Sequence, residues 1–130
     1  MQKKKFNKNR ADKLWSDLVK LIAGGRCEYC GKAEYPNSHH VFSRSNLNLR
    51  WDTDNGVCLC VGHHVFGNLS AHKSPIEFLE WLKEKRGNEW YERLRSKARV
   101  LAKFTEQDKV DISIKLKQMI RELEIEKLGK

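Results

Sequence analysis

Apolar residues recur at helical spacing near the start of the chain. Asn9 to Ile22 reads as an amphipathic helix, with Asn9 as its N-cap and Asp12 in its first turn. Gly24 and Gly25 follow directly and are expected to end it. One side of this helix is predicted to carry four aliphatic residues, Leu14, Leu18, Leu21 and Ile22.

Helical spacing returns in the second half of the chain. Residues 74–77 (Ser-Pro-Ile-Glu) form a capping box with proline at the first helical position, and Gly87 is expected to close that helix. Further helices are predicted from Glu89 to about Phe104, and from a Thr105 cap to about residue 128. The last helix has apolar residues at helical spacing, Ile112, Leu116, Met119, Ile120 and Leu123. Packing of this face within the domain is the favoured interpretation, and a homodimer through the C-terminal helix is the alternative.

The helical pattern fades between Arg26 and His72. Cysteine, histidine, glycine and asparagine become frequent there, and short strands are predicted around Ser38–Phe42 and Val57–Cys60. Binding and catalytic residues concentrate on loops that a rigid scaffold positions. The chemistry of this protein is therefore expected in the middle of the chain.

The distribution of charge indicates a polyanionic partner. The 130 residues fit one compact domain with a helical extension, and their net charge is +9. Residues 1–26 contain eight Lys/Arg and two Asp, a net charge of +6, whereas residues 27–75 contain four charges of each sign. Residues 76–130 contain fourteen basic and eleven acidic residues, a net charge of +3. A neutral centre with positive ends is typical of a site that binds a phosphate backbone.

The apolar segments and the cysteines indicate a cytoplasmic protein. No apolar run approaches the roughly 18 residues that span a bilayer, so no membrane association is predicted. The basic start of the chain is not followed by a hydrophobic signal segment. Cysteines stay reduced in the cytosol, and the four here are therefore expected to bind metal rather than to form disulfides. A modest hydrophobic content of 39% makes a stabilising metal useful.

Two clusters of metal-ligating residues have the spacing of a structural zinc site. Cys27 and Cys30 are separated by two residues, and Cys60 and His63 repeat that spacing about thirty residues later. Two intervening residues let one tight turn present both ligands to one ion. The preferred set is therefore Cys27, Cys30, Cys60 and His63. Cys58 is the alternative fourth ligand, since residues 58 and 60 of a strand point the same way, but a core position is favoured for it.

A second set of polar residues lies between and beside the zinc ligands. Ser38-His39-His40-Val41 is followed by Asp54-Asn55-Gly56-Val57, and His64 comes directly after the second zinc pair. Together with the Cys-x-x-Cys motif, this pattern resembles the HNH (ββα-metal, or His-Me finger) endonuclease family over about residues 26–80. Within that family the chain looks most like small phage-type HNH proteins, some of which are associated with recombination.

The resemblance implies a role for each of these residues. His39 and His64 would bind a catalytic Mg²⁺ or Mn²⁺ ion, and His40 would be the general base. Asn55 would fix the loop between the two strands and thereby orient His40. Neighbouring residues on a strand point to opposite sides, so His39 and His40 cannot share one task. An imidazole with an ordinary pKa of about 6.5 can accept a proton from water at neutral pH.

The third ligand of the catalytic ion is open between two residues. Asn68 follows His64 by four residues, which places both on one face of an unbroken helix. His72 is eight residues from His64, too far along a continuous helix, but Gly67 can interrupt that helix. Imidazole is a better ligand than a carboxamide. The resemblance also favours His72, because sequences of the HNH family place a histidine three residues before a proline such as Pro75. His72 is therefore favoured.

Basic residues outside the two metal sites are candidates for contact with DNA. Arg44 and Arg50 lie in the polar loop between His40 and Asn55, where a substrate strand could pass. The N-terminal arm is expected to raise affinity without sequence preference. Its basic residues are Lys3, Lys4, Lys5, Lys8 and Arg10.

These observations predict an α+β protein with a small ββα-metal core braced by structural zinc. One helix precedes the core and about three follow it. The expected regions are a basic arm and helix (1–25), the nuclease core (26–86) and a helical extension (87–130). The predicted activity is metal-dependent hydrolysis of DNA phosphodiesters, on double-stranded or branched DNA, as in phage recombination or DNA processing. A zinc-finger protein that binds DNA without cleaving it is the alternative.

Overall fold

A computed structural model describes residues 5–101 and 104–129. Within these ranges the chain combines helices with one small antiparallel sheet of two strands, which is the mixed α+β class expected. In chain order the elements are α1 (Lys8–Ile22), β1 (Asn37–His40), α2 (Leu47–Arg50), a 3₁₀ turn (Thr53–Asn55), β2 (Gly56–Leu59), a π-helical turn (Gly62–Phe66), α3 (Pro75–Arg86), α4 (Asn88–Ala98) and α5 (Glu106–Leu128).

The first helix begins earlier than predicted and buries a different face. Asn7 is its N-cap, because the Asn7 side chain accepts a hydrogen bond from the backbone N–H of Arg10 at 3.1 Å. The predicted cap, Asn9, lies inside the helix. Ile22, predicted on the buried side, is exposed. The stripe that faces the core is Ala11, Trp15, Leu18 and Val19, which is the spacing of one face of an α-helix.

The two strands form a hairpin with a long connection. In the antiparallel register His39 is opposite Val57 and His40 is opposite Gly56. Successive side chains of β2 enter different parts of the core, since Val57 packs in one apolar cluster and Cys58 in another. The sheet therefore lies between two layers, and its neighbouring histidines face different surroundings.

Two apolar clusters hold the layers together. The first lies on the side of the sheet that carries Cys27 and Cys60, and it includes Leu59 together with residues of α3 and α4 such as Leu82 and Leu94. The second joins α1 to α5 and includes Trp15 and Leu116. All three regions predicted from the sequence contribute to these clusters: the N-terminal helix, the middle of the chain and the C-terminal extension.

The C-terminal helices follow the predicted boundaries in part. Thr105 and Asp108 form a capping box at the start of α5, as the Thr105 cap predicted. The predicted capping box at Ser74 is wrong, because the Ser74 hydroxyl donates instead to the backbone carbonyl of Asn68 at 2.5 Å. Helix α4 ends at Ala98 rather than near Phe104.

The apolar face of α5 is used within the chain. Leu116 is buried against α1, and four further residues pack against the same cluster, Ile112, Met119, Ile120 and Leu123. Packing within the domain, the favoured interpretation, accounts for this face. A homodimer through α5 stays a prediction. Across the described ranges, no helix has both the length and the apolar character needed to cross a membrane.

Candidate metal centres

Three cysteines and one histidine come together at the edge of the first apolar cluster. The ligand atoms of Cys27, Cys30, Cys60 and His63 all lie within 4.8 Å of one another. Two Sγ atoms, those of Cys30 and Cys60, are 3.7 Å apart, and the Nδ1 atom of His63 is 3.2 Å from Cys60 Sγ and 3.7 Å from Cys27 Sγ. Zn–S bonds of about 2.3 Å and Zn–N bonds of about 2.0 Å place tetrahedral ligands roughly 3.5–3.8 Å apart. The cluster is therefore compatible with a closed structural zinc site.

Local turns present these ligands. The backbone N–H of Gly31 donates to the carbonyl of Cys27 at 2.8 Å, and the Cys27 N–H donates to the carbonyl of Lys32 at 2.8 Å. Gly31 has a φ of 79°, which a residue without Cβ adopts at little cost. On the other half of the site, the ring of Tyr29 stacks on His63 with 4.3 Å between centroids. The four candidate zinc ligands thus come from a tight knuckle (Cys27 and Cys30), from the residue after β2 (Cys60) and from the π-helical turn (His63).

Cys58, the alternative ligand, lies outside this cluster. Its side chain is fully buried on the α1 side of the sheet, whereas Cys60 lies on the opposite side. The expectation that residues 58 and 60 point the same way fails because β2 ends at Leu59. Burial, and then the negative charge of Glu28, raise the pKa of the Cys58 thiol to about 11. Cys58 is therefore a core residue, as favoured.

Three histidines form a second cluster of potential metal ligands. His39 lies on β1, His64 lies in the π-helical turn, and His72 lies in the loop before α3. One ring nitrogen from each lies within 4.8 Å of those of the other two, and the Nε2 atoms of His64 and His72 are 3.0 Å apart. His72, the residue favoured over Asn68, is thus the third imidazole of the cluster.

A reversal of the chain brings His72 back to His64. Gly67 ends the π-helical turn with an extended ψ of 155°, and its N–H donates to the carbonyl of Gly62 at 2.7 Å. A Cβ atom at Gly67 would lie 2.5 Å from that carbonyl oxygen, so only glycine fits. The returning chain then pairs with the turn, since the His72 N–H donates to the carbonyl of His64 at 3.1 Å. The interruption predicted at Gly67 is therefore present.

The surroundings of His39 and His64 favour the neutral form of these two imidazoles. Burial, and then the neighbouring His64 and His72, lower the pKa of His39 to about 3. The pKa of His64 is lowered from its usual value first by burial and then by His72. Close imidazoles repel one another when charged, whereas neutral imidazoles offer lone pairs to a cation. The cluster is therefore suited to bind a metal ion.

His40 lies on the other side of β1 and is held in a defined orientation. Its Nε2 atom is 2.9 Å from the carbonyl oxygen of Arg50, and its ring stacks on Trp15 with 3.8 Å between centroids and 7° between planes. Because a carbonyl can only accept, Nε2 carries the hydrogen and Nδ1 carries the lone pair. Burial lowers the pKa of His40, although the Arg50 carbonyl and the charge of Asp12 oppose this. The imidazole is therefore neutral at neutral pH.

Asn55 is fully buried and joins the ends of the loop between the strands. Its Oδ1 accepts from the N–H of Phe42 at 2.7 Å, and its Nδ2 donates to the carbonyls of Phe42 and Leu49 at 3.0 and 3.2 Å. The Leu49 carbonyl directly precedes Arg50, whose own carbonyl accepts from His40. The side chain of Asn55 thus links Phe42 to Leu49 within the loop between the strands.

Arg50 does not occupy the position expected of a phosphate contact. It is 5% exposed, and its guanidinium makes two hydrogen bonds to the Asp12 carboxylate at 3.0 and 2.8 Å. The Trp51 N–H donates to the same carboxylate at 2.9 Å. Burial opposes ionisation of Asp12, but the guanidinium and the indole hold the pKa of Asp12 below its usual value. Arg50 is therefore a structural residue that fastens the loop to α1.

The other predicted DNA contacts are exposed where the structure describes them. Arg44 is exposed and lies near enough to His40 for its charge to lower the pKa of that imidazole. Lys5 is exposed before α1, and Lys8 and Arg10 are exposed in its first turn. The remaining two residues of the arm, Lys3 and Lys4, lie outside the described residues.

Sequence reasoning misses the residues of α1 that surround His40. It places Asp12 only in the first turn of the helix and does not single out Trp15. A signal for Trp15 is present, because Ala11, Trp15, Leu18 and Val19 form a helical stripe that includes the tryptophan. Nothing local in the sequence indicates which residues that stripe contacts.

No family model, no curated protein and no solved structure matches the chain. The assignment of function therefore depends on the geometry of the two clusters and on the residues around His40.

Proposed function

We propose that this protein is a metal-dependent DNA endonuclease with an HNH-type (ββα-metal) centre, braced by a structural zinc ion. The observation that carries the proposal is the cluster of His39, His64 and His72, which adjoins a separately oriented imidazole at His40. A zinc-binding module without catalytic activity needs the cysteine site but has no use for the second cluster.

The donor set of the second cluster fits a divalent ion. Ligands about 2.1 Å from an octahedral ion lie about 3.0 Å apart when adjacent. The separation of 3.0 Å between the Nε2 atoms of His64 and His72 has this value. Imidazole suits transition ions better than Mg²⁺, which prefers oxygen ligands. Of the two ions predicted, Mn²⁺ is therefore the better candidate. When bound, such an ion supplies charge stabilisation at the phosphate and at the leaving oxygen.

His40 is the proposed general base. Its Nδ1 has the lone pair, because Nε2 donates to the carbonyl of Arg50. The bond to the Arg50 carbonyl engages Nε2 alone, so Nδ1 is the atom proposed to accept the proton of the attacking water. His39 and His40 face opposite sides of β1. In-line displacement at phosphorus needs the base and the stabiliser of the leaving group on opposite sides.

Two further residues support this chemistry. Asn55 donates to the carbonyl of Leu49, the residue before Arg50. It thereby keeps in place the Arg50 carbonyl that accepts from His40. Arg44, exposed beside His40, is the proposed phosphate contact, and the exposed Lys5, Lys8 and Arg10 would add salt-dependent affinity. DNA, as a duplex or a branched structure, is the proposed substrate.

Incubation of the zinc-loaded protein with supercoiled plasmid and with branched DNA tests the proposed function. Nicking or cutting is expected with Mn²⁺ and more weakly with Mg²⁺, and excess EDTA should abolish it. Hydrolysis of this type is expected to leave 5′-phosphate and 3′-hydroxyl ends, which end-labelling of the products detects. Binding of both DNAs without cleavage, with every divalent ion tried, would instead support the zinc-finger alternative.

A further inference from the structure

We propose that Trp15 is a positioning residue for His40: its indole sets the plane of the imidazole from which the proton-accepting nitrogen projects. The catalytic consequence of this inference rests on the proposed function. The stacking of Trp15 on His40 can be measured without any reaction. Trp15 touches neither the cluster of His39, His64 and His72 nor the zinc ligands in the described contacts.

The two rings are nearly parallel and in direct contact. Their centroids are 3.8 Å apart and their planes differ by 7°. The bond from Nε2 to the Arg50 carbonyl fixes one point of the imidazole, but rotation about the axis of that bond would still swing Nδ1 away. A flat ring packed against one face prevents this rotation. The hydrogen bond and the stack together define where Nδ1 points.

The indole is itself held firmly. Trp15 is 2% exposed, and its Nε1 donates to the carbonyl of Asp52 at 2.8 Å. It therefore has one orientation relative to the loop that contains the acceptor of His40. Helix α1 is further fastened to this loop by the paired hydrogen bonds between Arg50 and Asp12. The indole of Trp15 and the Arg50 carbonyl that accepts from His40 thus belong to one rigid assembly.

Gly56 makes room for the stack. It is the cross-strand partner of His40 on β2, so a side chain at this position would lie beside the imidazole. A Cβ atom there would lie 2.9 Å from Trp15 and 2.4 Å from Val19. The φ of Gly56 is −112°, which any residue adopts, so space rather than backbone conformation requires glycine here. The absence of a side chain opposite His40 lets α1 approach the sheet.

Nuclear magnetic resonance of histidine-labelled, zinc-loaded protein tests the stacking directly. Protons above the face of an indole are shifted upfield by its ring current. The ring protons of His40, assigned by their loss in His40→Gln, are expected to be upfield in the wild type. They should remain upfield in Trp15→Phe, which keeps a flat ring, and return to ordinary positions in Trp15→Leu. Ordinary positions in the wild type would overturn the inference.

Steady-state cleavage kinetics test the consequence. We expect kcat to fall by about 10–100-fold in Trp15→Leu, because a misplacement of about 1 Å at a catalytic group costs this much. KM should not change, since the buried indole cannot contact DNA. Trp15→Phe is expected to restore kcat. Circular dichroism and zinc content must show that each variant is folded.

Trp90 supplies a matched control. It is 4% exposed, and its Nε1 donates to the carbonyl of Asp54 at 2.8 Å, so it resembles Trp15 in burial and bonding. Its described aromatic neighbour is Tyr91 rather than a histidine. Trp90→Leu should therefore lose comparable stability and keep the kcat of the wild type.

The outcomes separate this inference from the proposed function. Wild-type kcat in Trp15→Leu, or equal losses in Trp15→Leu and Trp90→Leu, would overturn the positioning role while the nuclease assignment stands. Failure of Trp15→Phe to restore kcat while its His40 ring protons remain upfield would also overturn it, because an intact stack would then have no effect on the rate. If the wild type cleaves no DNA, the proposed function fails, and the resonances of His40 alone decide whether Trp15 sets the ring.

Discussion

Replacement of His40 by alanine is expected to lower the rate of DNA cleavage by about 10²–10⁴-fold, the usual contribution of a general base. The affinity for DNA should not change, because His40 is half-buried between Trp15 and the Arg50 carbonyl and carries no charge at neutral pH. Cleavage of plasmid with Mn²⁺ gives the rate, and a binding titration without catalytic ions gives the affinity.

Two controls make this result specific. The His40→Ala variant should keep its zinc, since the zinc ligands lie on the opposite side of the sheet. Added imidazole should partly restore cleavage by entering the space left beside Trp15. Unchanged nicking by a folded, zinc-loaded His40→Ala variant would remove His40 from the mechanism.

Replacement of Cys30 by alanine is expected to cause the largest loss of stability. Structural zinc contributes roughly 10–16 kcal/mol of binding free energy in small zinc domains, so loss of one of four ligands should lower the free energy of unfolding by several kcal/mol. Cys30 is the exposed member of its cluster, and its replacement therefore removes little packing. Zinc content and thermal denaturation measure the effect.

Cys58→Ala is the matched control. Cys58 is fully buried and belongs to the apolar cluster of α1 and α5, so its replacement should cost only a modest cavity. This variant is expected to retain one zinc ion per chain. Loss of zinc from Cys58→Ala, or full zinc content and unchanged melting in Cys30→Ala, would contradict the assignment of ligands.

The spacing of residues is enough to predict the first cluster of potential metal ligands, whereas the second cluster is implied by the resemblance to the HNH family. Pairs of ligands two residues apart can reach one ion through a single turn, so the spacing alone groups Cys27, Cys30, Cys60 and His63. The choice of His72 over Asn68 depends on one glycine that interrupts a helix. In these cases residues a few positions apart determine how the ligands are presented, so their spacing in the sequence is enough to predict it.

Long-range contacts cannot be predicted in the same way. Arg50 is expected to face DNA because it lies in a polar loop, but it pairs with Asp12, 38 residues away, on α1. The same helix supplies Trp15 to His40. Periodicity shows that a helix has an apolar face, yet it does not show which residues that face meets. The end of β2 at Leu59, which leaves Cys60 and Cys58 in different apolar clusters, is likewise not indicated by the sequence pattern.

Electron spin-echo spectroscopy of Mn²⁺ bound to the zinc-loaded protein tests most directly whether His39, His64 and His72 hold one hydrolytic cation. Couplings from imidazole nitrogen are expected for one Mn²⁺ per chain in the wild type. They should disappear in the triple variant His39→Ala/His64→Ala/His72→Ala with the zinc content unchanged. A spectrum of fully hydrated Mn²⁺ in the wild type, or nitrogen couplings that persist in the triple variant, would contradict a metal site at these three imidazoles.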